Sequence, residues 1–103
     1  MKGSRTYPRH GTQAARLIAS LLTGSRVNPL DGWHKLGIYR LADTAFQLRN
    51  LGWPVITGTL LVKNKFGEDC RVAEYRLEHD DIVAAGQDGQ DFTVREFERR
   101  EVA

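Results

Sequence analysis

Apolar residues recur at helical spacing through the first half of the chain and alternate through its middle. Ala14, Leu17, Ile18, Leu21 and Leu22 fall at i, i+3, i+4, i+7 and i+8, one stripe of a helix over residues 13–22. Thr12 offers a capping hydroxyl before it and Gly24 a stop after it. Asn28-Pro29 opens a second helix, since Asn caps well and Pro at the first helical position lacks an N–H that would go unpaired anyway. Two turns follow, with Leu30, Trp33 and Leu36 three apart, and Gly37 ends them. A third helix is predicted from about Tyr39 to Leu51, stopping at Gly52. Leu41, Ala45 and Leu48 make its inward side; Asp43, Phe46, Gln47 and Asn50 make the outward side, flanked by Arg40, Thr44 and Arg49. Trp33 and Trp53 both stand in apolar register and are expected in the core.

From Trp53 to Val62 the residues become β-branched and aromatic, a strand with Pro54 at its start and Gly58 at a bulge. Asn64-Lys65-Phe66-Gly67 reads as a turn, and residues 71–77 alternate, with Ala73, Tyr75 and Leu77 on one face. The pattern is a β-hairpin with Lys63 and Lys65 at its tip. Beyond it, Asp80 or Asp81 caps a single turn closed by Gly86, and residues 87–91 read as a polar loop. Thr93-Val94-Arg95-Glu96 fits a capping box that opens a short helix over residues 93–102, although the alternation of Phe92 and Val94 also permits a strand.

Charge changes the picture. The 103 residues carry a net +2, but residues 1–66 hold ten Lys and Arg against two acids, a net +8, and residues 67–103 hold five against eleven, a net −6. A surplus of this size suits the first part of the chain to a polyanionic partner. Residues 1–11, rich in Lys, Arg, Gly, Ser, Pro and His, read as a mobile basic arm. The length fits one domain at residues 12–78, followed by an acidic C-terminal extension at 79–103.

Three helices, a tight glycine turn between the second and third, and then a hairpin make the order of a winged helix-turn-helix, an α+β architecture. Specific blocks carry a resemblance as well. Thr12-Gln13, Leu17-Ile18, the run Asn28 to Gly37, Ile38 to Leu41, Leu48 to Trp53, and Ala73 to Leu77 arrive in order. In that pattern, residues 12–77 resemble the small winged helix-turn-helix domains of phage and prophage genomes. The resemblance implies a DNA-binding fold.

The residues suited to that role are Arg40, Thr44 and Gln47 on the third helix, joined by Tyr39 and Asn50. Arginine forks onto guanine, and glutamine or asparagine onto adenine. Asp43 sits awkwardly among them, because phosphate repels a carboxylate unless it accepts from cytosine or orients Arg40. Lys63 and Lys65 would lie over the backbone or in the minor groove, Arg5 and Arg9 of the arm likewise, and Arg16 and Arg26 are candidate backbone clamps. A transcriptional regulator or architectural factor on double-stranded DNA is the expected function. A protein-interaction module without DNA binding is the alternative. Phe92 to Val102, with two phenylalanines, is the candidate contact for a homodimer, and the acidic segment is also suited to lie over the basic face as a DNA mimic.

Other classes fit poorly. His10, His34 and His79 are scattered, and His79-Asp80-Asp81 lacks the further ligands a metal hydrolase needs. Single Cys70 allows no disulfide framework, and Gly86 and Gly89 lack the spacing and lysine of a phosphate loop. No catalysis, cofactor, metal or small-molecule substrate is expected. No apolar run approaches the roughly 20 residues of a membrane span, and no apolar stretch follows the basic N-terminus, so cytoplasmic residence is expected.

Overall fold

The computed structural model describes residues 5–102, and side chains through Glu98. In chain order the elements are α1 (Gln13–Leu22), α2 (Pro29–Leu36), α3 (Leu41–Asn50), β1 (Ile56–Lys63), β2 (Asp69–Arg76) and α4 (His79–Val102). Three helices, a two-stranded antiparallel wing and a C-terminal helix thus follow the predicted order.

Each start has a local cause. Thr12 accepts from Ala15 N at the head of α1, and Asn28 accepts from Asp31 N at the head of α2 with Pro29 beside it. Gly37 takes φ 65° and ψ 30°, which lets Ile38 N–H reach back to Gly32 O at 2.8 Å and turns the chain into α3. Any other residue there would sit in the left-handed region, so Gly37→Ala is expected to cost about 1–2 kcal/mol in chemical denaturation. The same change should loosen the angle between α2 and α3. Arg40, at the cap of α3, makes no capping bond, and Asp43 in the first turn supplies the negative charge that favours a helix start. That accounts for a carboxylate on an otherwise basic face.

β1 and β2 pair without interruption from Ile56↔Arg76 to Lys63↔Asp69, so Gly58 lies in regular register opposite Glu74 and forms no bulge. Asn64 builds the tip: its side-chain oxygen accepts from Phe66 N at 2.9 Å and Glu68 N at 3.1 Å. At the wing's base, Val27 bridges Tyr75.

α1 is the centre of the fold. Ala14, Ala15, Leu17, Ile18, Ala19, Leu21 and Leu22 are all buried, too many for a single stripe, because α3 packs on one side and α4 on another. Trp53 closes the core as expected, but Trp33 does not: its ring is 56% exposed and meets Tyr39 at 5.6 Å between centroids. Two turns of α2 can bury Leu36, and Leu30 and Trp33 are left outside.

The C-terminal third departs furthest from expectation. Residues 87–91 are helical rather than a loop, and α4 is two segments bent at Gly86, where φ is 58° and ψ −144°. Thr93 is therefore inside a helix; its hydroxyl donates to Gly89 O at 2.8 Å instead of capping. Phe92 joins the central core and Phe97 packs against it, so the aromatic residues proposed for a homodimer serve their own chain. The side chains of residues 99–102 in that candidate contact lie outside the described set.

Residues 5–11 are likewise docked and form a strap. Thr6 N donates to Leu51 O, and Trp53 Nε1 donates to Thr6 O at 2.9 Å. The Tyr7 ring stacks on Phe92 at 4.7 Å, and His10 stacks on the same ring at 4.2 Å. Burial, with the charge of Asp88 adding and that of Arg5 opposing, pushes the Tyr7 hydroxyl above the usual tyrosine range. Glu96, 1% exposed, accepts from Gly11 N at 3.1 Å and bonds His10 Nδ1 at 2.7 Å. Residues 1–4 of the predicted arm lie outside the described residues.

Candidate nucleic-acid interface

α3 presents Ala42, Asp43, Phe46, Gln47, Arg49 and Asn50 to solvent and buries Leu41, Thr44, Ala45 and Leu48. Its first two turns border a shallow groove of about 270 Å³ shared by Gln13, Tyr39, Arg40, Asp43, Thr44 and Gln47. The predicted Tyr39, Arg40 and Gln47 come together in this groove. Gln13, at the first position of α1 directly after the cap, joins the groove although its sequence position alone does not single it out. Thr44 is the correction: it is 3% exposed, and its hydroxyl donates to Arg40 O at 3.2 Å. Its wheel position falls at the edge of the buried face, and a hydroxyl that can bond the preceding turn is tolerated there.

Arg40 is 80% exposed with Nη1 3.9 Å from Asp43 Oδ2, a contact too long and too wet to hold the guanidinium. Arg40 is thereby free to fork onto an acceptor pair. Asn50 stands exposed at the far end of α3. Arg49 bends to the wing instead, donating from Nε to Val55 O at 3.0 Å and from Nη2 to Thr57 Oγ1. This brace joins the end of α3 to the start of β1.

At the wing tip, Lys63 pairs with Asp69 at 2.7 Å, while Lys65 lies 5.3 Å over the Phe66 ring and makes no ion pair among the described residues. Both side chains are on the surface, and the Lys63 pair exchanges readily with a stronger anion.

The remaining predicted cations are placed elsewhere. Arg5 donates to Asp81 Oδ1 at 2.6 Å and to Asp81 O at 3.0 Å, and its guanidinium lies 5.5 Å over Trp53. It ties the strap to α4. Arg16 donates from Nε to Leu36 O at 2.6 Å and from Nη1 to Gly11 O at 3.2 Å, closing the end of α2. Arg26 is exposed, 3.6 Å from Glu74 of the hairpin. Arg9 borders a groove with Asp88, Asp91 and Arg95 whose walls hold no residue of α3. Three of the predicted cations are partly neutralised: Arg5, Arg26 and Lys63 each meet a carboxylate from the acidic half of the chain.

That acidic half is also located. α4 packs along α1 and leaves the outward side of α3 uncovered, so the segment does not lie over the groove as a DNA mimic. Among the described residues no cluster of His, Cys, Asp and Glu could hold a metal ion, and no helix is long and apolar enough to cross a membrane.

Comparison with known families places this geometry. Residues 12–80 match the model of the winged helix-turn-helix domain, from the cap of α1 to the first turn of α4. No curated protein and no solved structure matches the chain. With its helices, turn and wing all inside a match that covers well over half its length, the chain belongs to the winged helix-turn-helix domain family.

Proposed function

We propose that this protein binds double-stranded DNA, with α3 in the major groove and Lys63 and Lys65 of the wing on the phosphate backbone or in the minor groove. The observation that carries the reading is the uncovered groove at α3, where Arg40 and Gln47 stand exposed beside Tyr39 and Gln13. Arg40 suits the O6/N7 edge of guanine, Gln47 and Asn50 suit adenine, and Asp43 can accept from cytosine N4. Lys65, exposed at the tip without an ion pair among the described residues, is the first phosphate contact. The reading assigns no chemical step, cofactor or metal. The narrower role, a phage- or prophage-type transcriptional regulator or architectural factor acting in the cytoplasm, rests on the order of the sequence blocks. A single module of this size binds weakly, so a dimer or a second site would raise its affinity.

A second reading, a winged helix that binds protein, is favoured by one observation: Leu30 and Trp33 on α2 are more than half exposed. Titration with mixed-sequence duplex at several salt concentrations separates the two. DNA binding requires amide shifts at Arg40, Gln47, Lys63 and Lys65, with an affinity that falls steeply as salt rises. No binding at low salt would overturn it. Arg40→Ala should weaken the specific complex by about 1–3 kcal/mol in fluorescence anisotropy and relax the preference at one base pair.

A further inference from the structure

We infer that Phe46 reads the C5-methyl group of a pyrimidine, thymine or 5-methylcytosine, in the major groove. The inference rests on the DNA-binding reading above and adds a second kind of contact to it. Phe46 is 61% exposed at the middle of α3, on the side opposite Leu41, Ala45 and Leu48. Among the described residues the rings of Tyr7, Trp33, Tyr39, Trp53 and Phe92 each meet another ring, whereas Phe46 meets none.

Its neighbours on the helix surface define what it can take. At three and four residues' spacing stand Ala42, Asp43, Arg49 and Asn50, with Gln47 beside them, all exposed. One aromatic ring and one methyl set among four polar side chains make a small apolar spot inside a hydrogen-bonding face. A protein partner of ordinary size needs a larger apolar centre. A single C5-methyl, flanked by the donors and acceptors of base edges, matches both the size and the surroundings, and phenylalanine is among the side chains that make this contact. Ala42, one turn toward the N-terminus, can meet a second methyl on the same ridge. The ridge Arg40, Asp43 and Gln47 runs beside it at i, i+3 and i+7, so hydrogen-bonded and methyl readout fall on adjacent bases. The acidic α4 packs on α1 and leaves this face of α3 open to a DNA occupant.

The test begins by selecting preferred sequences from a random duplex library with the full chain. Each thymine of the selected site is then replaced in turn by deoxyuridine, which keeps every hydrogen-bonding group and removes only the methyl. At one or two positions the wild-type protein should bind about fourfold more weakly for the lost methyl, and Phe46→Ala should bind the thymine and uracil duplexes alike. A 5-methylcytosine placed at that position should be bound more tightly than cytosine by wild type and not by Phe46→Ala. Because Phe46 is on the surface, the variant should melt as wild type does. Equal binding of thymine and uracil at every position, a selection that recovers no thymine, or discrimination that survives Phe46→Ala each overturns the inference while DNA binding stands. If Phe46→Ala alters self-association in sedimentation and leaves discrimination intact, the ring belongs to a protein contact. Absence of duplex binding at low salt overturns the underlying reading as well.

Discussion

Ending the chain at Gly86 should abolish cooperative folding. Residues 87–102 bring Phe92 into the central core and Glu96 under the strap, and they belong to the helix that packs along α1. Losing a buried phenylalanine alone costs about 3–5 kcal/mol, and a domain of this size has roughly 5–15 kcal/mol in all. With the exposed flank of α1 added, little or no stability remains. A circular-dichroism melt of the shortened chain should show no sharp transition, and Trp53 emission should shift to that of a wetted indole. A DNA-mimic tail predicts the reverse: a folded protein that binds duplex more tightly at low salt. Observing that would restore the mimic and refute the packing described for α4.

Glu96→Ala is expected to destabilise the protein by about 2–4 kcal/mol. The carboxylate is almost wholly buried and takes both the Gly11 N–H and the His10 ring nitrogen. Alanine leaves the amide without an acceptor inside the protein, at roughly 1–3 kcal/mol, and removes buried methylene surface besides. Glu96→Gln keeps the shape and an oxygen for Gly11 N–H, so it should recover more than half of that loss. Urea denaturation of the three proteins, followed by Trp53 fluorescence, measures both differences. If alanine and glutamine prove equivalent, the bond to Gly11 contributes nothing and only charge matters.

The contrast between α3 and α4 shows what could be read in advance. α3 lay open to prediction because Leu41, Ala45 and Leu48 mark one face and polar residues mark the other, so Arg40 and Gln47 could be named as outward. The hairpin was legible for the same reason at period two. α4 was not, because its apolar residues are few and two glycines interrupt it; its helix is held by what it covers. The clue was on α1, where Ala15 and Ala19 lie off the leucine stripe. Small residues carry little weight in a periodicity count, yet they let a second helix approach. The partners of the cations were hidden for a different reason. Arg5, Arg16 and Arg49 could be counted as charges, but their backbone and carboxylate partners, up to 76 residues away, are set by the tertiary fold and leave no local mark.

The strap and the bent helix bear on where this domain opens. The first and last elements of a small domain usually fray most easily. Here residues 5–11 are fastened to α4 by an ion pair at Asp81, by ring stacking on Phe92 and by the carboxylate of Glu96, so neither can peel away without releasing the other. The wing's fastenings gather near its base, at the Val27 bridge, the buried Tyr75, Arg26 beside Glu74, and Arg49. Amide exchange in this protein should therefore be slow near Gly11 and fast at Asn64 to Glu68, which puts the adaptable part of the molecule at the wing's tip and the rigid part where its two ends meet.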